Sequence, residues 1–250
     1  SSLVGSEMCI RDRVRAMAIY PSYDNNKLTN VIDSDYYDKI TSDKTTPMYN
    51  RATMQRTAPG STYKMLVSAA GLGEGVIDVG SVITDYGTFT KISPSPKCWL
   101  TGGHGALGLA EAIEVSCNGF FYEVGYRLAT DSNGVYQDAQ GIDKLQKYAT
   151  LFGLNRKSGV EIEEIDPHIS DSDAVRSAIG QGTNNYTPVQ LSRYVTAIAN
   201  EGKCYDLTLV NEIKNVEGRT VYKNDNVPES TIDLTDSQWS VIKQGMRLMV

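Results

Sequence analysis

Polar and apolar positions alternate over Val14-Arg15-Ala16-Met17-Ala18-Ile19-Tyr20, and a period of two predicts a strand. Turn formers follow at once in Pro21-Ser22-Tyr23-Asp24-Asn25-Asn26. Residues 27–57 are polar and read as short helical pieces. The next apolar run, Met65-Leu66-Val67-Ser68-Ala69-Ala70, suits a helix. It follows Ala58-Pro59-Gly60-Ser61-Thr62-Tyr63-Lys64, in which Pro-Gly stops the preceding segment and Ser61 stands where the helix begins. Residues 81–103 are rich in Gly, Pro, Ser and Thr and read as loop with a short strand. Helices are predicted over 109–115, 120–128 and 141–152, the first two separated by Ser116-Cys117-Asn118-Gly119. Another is predicted over 189–200, with Pro188 in its first turn and Gly202 just past its end. Residues 205–223 alternate around Glu217-Gly218 and predict a hairpin, and 234–250 predict a helix or a helix followed by a strand. The order strand, long helical insertion, strands, helix predicts an α/β (α+β) fold, a sheet flanked by helices with a helical subdomain.

Composition narrows the function classes. The chain has 250 residues, 40% hydrophobic and 22% charged, enough for a sizeable core in one large or two small domains. Its net charge of −6 comes without a basic stripe, so nucleic acid is not an expected partner. No run of 18 apolar residues occurs, so neither a membrane span nor a signal peptide is expected. The four cysteines, Cys9, Cys98, Cys117 and Cys204, are scattered without a Cys-x-x-Cys pair, which predicts neither a zinc site nor a disulfide framework. The two histidines, His104 and His168, have no Gly-x-Ser-x-Gly partner of the hydrolase type. Residues 1–13 fit nothing downstream. They read as a non-native tail, translated sequencing-adapter sequence, leaving 14–250 as the domain.

Two short stretches carry candidate chemistry. On a helix Ser61 and Lys64 share a face, so hydroxyl and amine can sit side by side. A serine hydroxyl becomes a useful nucleophile when a neighbouring base takes its proton, and a lysine held neutral by burial can be that base. The Ser61 backbone N–H, at a helix start, can face an oxyanion. By itself the pair reads more often as an N-cap and a surface lysine than as a catalytic pair. A second match, Ser240-Val241-Ile242-Lys243, lies in a polar-apolar helical pattern and reads as a solvated face. Ser116-Cys117-Asn118, between two apolar helices, can aim side chains into a cleft. There Ser116 can exchange a proton with Lys64, and Asn118 can offer an amide donor and a carbonyl acceptor to a peptide-like substrate. The competing reading is a helix C-cap with Asn-Gly in left-handed geometry.

The order of these stretches resembles the penicillin-recognising serine transpeptidases, and in particular class B penicillin-binding proteins of the cell-elongation, penicillin-binding protein 2 type. The resemblance rests on 16–24, Asn50-Arg51-Ala52, 58–64, Cys98-Trp99, Gly103-His104-Gly105, 116–122, Gly180-Gln181-Gly182, Thr187-Pro188-Val189-Gln190 and Ala199-Asn200-Glu201-Gly202. It covers roughly 14–250. It implies a D-alanyl-D-alanine transpeptidase in which Ser61 attacks, Lys64 is the base, Ser116 relays a proton and Asn118 holds the substrate backbone. It implies peptidoglycan stem peptides and β-lactams as ligands, the cell-elongation machinery as partner, no metal and no cofactor. It also implies an extracytoplasmic domain whose membrane anchor would lie N-terminal to this sequence. Lys157-Ser158-Gly159 matches the family's third motif in letters but precedes Gly180-Gln181-Gly182, whereas the family's motif follows it. The resemblance therefore makes Lys157 a loop residue and places the third motif past Val250, in a domain incomplete at its C-terminus. It makes His104 a structural loop residue and packs Cys117 among the helices. The alternatives are a related β-lactamase or carboxypeptidase, or a non-catalytic β-lactam-binding or sensor domain of the same shape.

Overall fold

The computed structural model describes residues 1–6, 13–224 and 227–250. In chain order its elements are β1 (Ser2–Ser6), β2 (Val14–Ile19), α1 (Ser34–Ser42), α2 (Arg51–Met54), α3 (Lys64–Gly73), β3 (Ile83–Asp85), β4 (Gly105–Leu107), α4 (Leu109–Glu114), α5 (Asn118–Leu128), α6 (Asp138–Leu151), α7 (Ala174–Ser177), α8 (Pro188–Ala199), β5 (Lys203–Cys204), β6 (Glu212–Lys214), β7 (Thr220–Lys223), β8 (Ser230–Thr231) and α9 (Asp236–Leu248). Among the described residues the strands form four antiparallel pairs, β1 with β2, β3 with β4, β5 with β8 and β6 with β7. The mixed helix-and-strand class is the one the pattern predicts; the sheet is present as these small pairs around a helical core. Cys9 and the rest of residues 7–12 of the predicted tail lie outside the described residues, while Ser2–Ser6 pairs along β2 from Ser2 opposite Ile19 to Ser6 opposite Val14.

The core is built around α3. Its sequence is apolar or small almost all round, and a helix of that kind is stable only inside other elements. Leu66, Val67, Ala69 and Ala70 are fully buried. Its neighbours are α5, α6 and α9. Phe120 and Phe121 of α5, Phe152 after α6 and Trp239 of α9 complete one continuous cluster with it. Burial of one such aromatic side chain is worth about 2–3 kcal/mol, so this cluster is the main source of stability.

Helix boundaries follow their caps. The α8 start matches expectation: Thr187 caps it, Gln190 completes a capping box, Pro188 opens the first turn, and Gly202 lies past the end with φ +86°. Helix α5 begins at Asn118, two residues earlier than the apolar pattern indicates, because the Cys117 sulfur accepts the Phe120 N–H. The predicted hairpin shrinks to β6 and β7. Residues 205–208 are drawn elsewhere: Leu207 N–H donates to Ser158 O, Val14 N–H donates to Thr208 O, and Arg193 Nε donates to Tyr205 O.

Arg193 is the main polar tie in this region. Its side chain is 2% exposed and also donates to Gly153 O and Lys157 O, and it forms a 2.8 Å ion pair with Asp206. Asp206 is half-exposed and keeps Arg156 as a partner, so the cost of losing Arg193 lies in the carbonyls of Gly153, Lys157 and Tyr205, at about 1–3 kcal/mol for each buried group left without a donor. Arg193→Met is therefore expected to lower the midpoint of thermal unfolding by roughly 10 °C in a calorimetric scan. A change within one degree would contradict this account.

Candidate active site

The Ser61 turn is not a plain helix start. Gly60–Tyr63 forms a 3-10 turn that runs into α3 at Lys64. The Tyr194 hydroxyl of α8 accepts the Leu66 N–H at 3.0 Å and donates to Thr62 O at 2.8 Å. Those two backbone groups would otherwise bond each other in the α-helical ladder. A side chain inserted there separates the Ser61 turn from the helix behind it. Gly180 supports the same turn from outside. Its carbonyl accepts the Gly60 N–H at 3.1 Å, its φ is +72°, and a Cβ on it would lie 2.0 Å from Gly60 O. The glycine-rich stretch 180–182 is thus a close backbone contact, as the sequence suggests.

The four candidate residues meet. Lys64 Nζ donates to Ser116 O at 2.7 Å, to Ser116 Oγ at 3.0 Å and to Asn118 Oδ1 at 2.7 Å. Ser116 Oγ donates to Ser61 Oγ at 2.9 Å. Ser61 is exposed, Ser116 and Asn118 are half-buried, and Lys64 is 2% exposed. Ser61 and Lys64 share a face as expected, but the hydrogen-bonded path between them runs through the Ser116 hydroxyl.

Ser116 has φ +51°, a left-handed conformation that costs a non-glycine residue about 1–3 kcal/mol. The left-handed residue of this turn is therefore Ser116, and Asn118 starts α5 instead of capping α4. The conformation turns the Ser116 carbonyl to two donors, Lys64 Nζ and the Trp99 indole at 3.2 Å. Trp99 also donates to Val115 O at 3.1 Å while its ring remains 61% exposed.

Burial pushes the Lys64 amine down from 10.5 to about 8, against an opposing pull from the Cys117 and Cys98 thiols. A neutral lysine has two N–H groups and one lone pair. Ser116 O and Asn118 Oδ1 can only accept, so they take the two N–H groups. The lone pair is then left for the Ser116 O–H, the one partner able to donate. Deprotonation of Lys64 thus orients the relay: Ser116 O–H toward Lys64, and Ser61 O–H toward Ser116 Oγ.

Behind this turn lies a cluster that the cysteine spacing did not announce. One ligand atom each from Asp85, Cys98, His104 and Cys117 lies within 4.8 Å of all the others. His104 Nδ1 is 3.0 Å from Asp85 Oδ2, Cys117 Sγ donates to Asp85 Oδ2 at 3.3 Å, and Cys98 Sγ is 3.5 Å from His104 Nδ1. Two sulfurs, an imidazole nitrogen and a carboxylate oxygen suit tetrahedral zinc, whose ligand atoms stand about 3.3–3.8 Å apart. These residues therefore fit a metal ion. Their separations along the chain match no local zinc pattern; only the β3–β4 pairing and the α4–α5 turn bring them together.

The remaining motif matches fall outside. Ser158 is fully buried, and its N–H and Oγ both donate to Glu164. The Lys157 carbonyl is held by Arg193, and its amine lies 4.0 Å from Asp166. Lys243 pairs with Glu201 on the exposed side of α9. His168 sits half-exposed near Asp171.

The family described as "Penicillin binding protein transpeptidase domain" matches residues 11–250. The peptidoglycan D,D-transpeptidase MrdA of Haemophilus influenzae is 29% identical over 255 residues, covering 93% of this chain and 36% of that protein. The chain thus spans little more than a third of that relative's length. The crystal structure of Pseudomonas aeruginosa PBP2 in complex with WCK 5153 superposes with a TM-score of 0.82 at 26% identity, covering 98% of this chain and 56% of that one. A structure titled for coordination of polymerization and crosslinking by a peptidoglycan synthase complex gives a TM-score of 0.80 at 26% identity, over 100% of this chain and 42% of that one.

Proposed function

Because the chain belongs to the penicillin-binding protein transpeptidase domain family, we propose that it carries the acyl-transfer site of a D-alanyl-D-alanine transpeptidase that cross-links peptidoglycan stem peptides. The observation that carries this reading is the unbroken path Ser61 Oγ–Ser116 Oγ–Lys64 Nζ, closed by Asn118.

The chemistry follows from the donors and acceptors. Ser61 Oγ attacks the carbonyl of the penultimate D-alanine. Its proton moves to Ser116 Oγ as the Ser116 proton moves to Lys64, so no charged hydroxyl stands alone. The Ser61 backbone N–H, among the donors that a helix start leaves over, supports the developing oxyanion. When the tetrahedral intermediate collapses, the relay runs backwards and Ser116 protonates the departing D-alanine nitrogen. Asn118 uses its amide N–H groups on the substrate backbone while its carbonyl stays with Lys64. An amine of a second stem peptide then attacks the ester, and the same groups take its proton. A β-lactam follows the first half only, because its leaving nitrogen remains tethered. Asp85, Cys98, His104 and Cys117 would hold a zinc ion, which would fix the turn bearing Ser116 and Asn118; no step of the transfer passes through it.

The similarity to a peptidoglycan synthase complex that coordinates polymerization and crosslinking supports a peptidoglycan-polymerising partner, and we propose the cell-elongation machinery as its setting. We propose a membrane-anchored, extracytoplasmic setting, since the peptidoglycan named in the relatives' activity lies outside the cytoplasmic membrane; among the described residues no helix is long and apolar enough to cross a membrane. We also propose residues 1–13 as foreign to the domain, although the family match begins at residue 11, Ser2–Ser6 pairs along β2 and Val4 packs with Val14 and Met17 against Val160, Val189 and Leu207.

The test uses the full-length protein with benzylpenicillin, read by intact mass and peptide mapping. A stable adduct of one penicillin on the peptide holding Ser61 is expected. Rapid turnover with no lasting adduct would indicate a β-lactamase. No reaction in a folded protein would leave the non-catalytic alternative.

A further inference from the structure

We propose that Cys98 and Cys117 form an oxidation site, a dithiol that closes to a disulfide when it meets a small disulfide oxidant and no metal holds the sulfurs. The inference rests on the geometry of the cluster and not on the acyl-transfer reading.

The two sulfurs lie within 4.8 Å of each other, against the length of about 2.05 Å in a disulfide. The bond forms only when the two sulfurs close that gap. The segments that carry them differ in freedom. Cys117 caps α5, is fully buried, and holds the Phe120 N–H. Cys98 is 8% exposed at the end of the loop that precedes Trp99, and one backbone bond, from its own N–H to Gly87 O, ties it at 2.9 Å. Cys98 is therefore the sulfur that a small oxidant reaches first, and Cys117 is the resolving one. Cys204, the remaining cysteine among the described residues, belongs to β5, and its thiol faces Tyr205 O. It takes no part in the cluster.

The reaction balances with an oxidant of the dialkyl disulfide class, written R–S–S–R. Cys98 Sγ attacks one sulfur of the oxidant. A Cys98–S–S–R bond forms, the oxidant's S–S bond breaks, and one R–SH leaves with a proton. Cys117 Sγ then attacks Cys98 Sγ, and the second R–SH leaves. The protein loses two electrons and two protons, and the oxidant is reduced to two thiols. The product ties the loop before Trp99 to the residue between Ser116 and Asn118. It is a covalent clasp directly behind the hydrogen-bonded turn.

The test uses the full chain, freed of metal with EDTA and incubated with oxidised glutathione at a pH where the fold is intact. Remaining thiols are blocked with N-ethylmaleimide before peptide mapping. The expected result is a cross-linked peptide pair holding Cys98 and Cys117, two hydrogen masses lighter than the reduced pair, with Cys204 recovered unlinked. Cys204→Ser should leave this pair unchanged. Oxidation in guanidinium should scatter the linkages, which separates a native site from random pairing. Recovery of Cys98 and Cys117 as free or singly glutathionylated thiols from folded protein would overturn the proposal. So would predominant linkage of either one to Cys204 or Cys9.

Discussion

Ser61→Ala is expected to abolish covalent labelling by penicillin while leaving the fold intact. The hydroxyl is the atom to which the acyl group would attach, so no adduct can form at this position. Loss of a serine nucleophile removes a factor of about 10⁶ from turnover in enzymes that use one. The cost to stability is small by comparison. Ser61 is exposed, and its contact with the described site is the hydrogen bond accepted from Ser116. An exposed substitution of this kind changes stability by about 0.5 kcal/mol or less. Gel fluorescence with a labelled penicillin and a thermal scan on the same sample separate the two effects. Labelling that survives in a folded Ser61→Ala protein would remove Ser61 from the mechanism. Ser116→Ala gives the graded comparison. It keeps the nucleophile but breaks the path to Lys64, and removal of a general-base relay costs about 10²–10⁴ in rate. A Ser116→Ala protein that labels at the parental rate would mean that Ser61 gives its proton to Lys64 directly.

The candidate residues are legible because each sits in a stretch whose neighbours are also distinctive. Pro59 and Gly60 mark the turn before Ser61, and Ser116 and Asn118 fall in a break between two apolar helices. What stayed illegible depends on contacts between distant segments. Nothing near Tyr194 in the chain indicates that its hydroxyl enters the α3 ladder between Thr62 and Leu66. Asp85, Cys98, His104 and Cys117 are separated by lengths that no local motif uses, so their convergence had no signal. The shortened hairpin has the same origin. Residues 205–208 alternate like a strand, but the backbones of Ser158 and Val14 and the side chain of Arg193 offer partners that a two-stranded hairpin cannot match. Lys157-Ser158-Gly159 shows the converse, in which letters alone suggest a site. Glu164 consumes the Ser158 hydroxyl in the interior, so the match has no chemistry to offer.

Acylation is expected to rise with pH and to reach half its plateau near pH 8, where Lys64 loses its proton. At pH 7 a lysine with that pKa is neutral in about one molecule in ten, whereas an ordinary lysine is neutral about 300 times less often. Burial of the amine thus supplies the base. The same burial has a sign in stability. The folded pKa, about 8, lies below the unfolded 10.5. Between these values the unfolded chain binds a proton that the folded chain has released, so stability rises with pH through this window. Below pH 8 both states are protonated and the full cost of the buried charge remains. The rise totals about 3 kcal/mol at most. Buried Tyr63, Tyr186 and Tyr194 oppose it at the upper end, because burial raises their pKa values and the unfolded chain ionises first above pH 10. Buried Cys117 and Cys204 oppose it already from about pH 9, because burial raises their pKa values too, so the Lys64 contribution is read as the difference between parent and variant from pH 8 to 10. Denaturant melts of the parent and Lys64→Met across that interval should converge or diverge by the Lys64 contribution alone, with the parent gaining on the variant as pH rises. Parallel curves, together with an acylation rate flat from pH 6 to 9, would show that Lys64 stays charged and that the relay has another terminus.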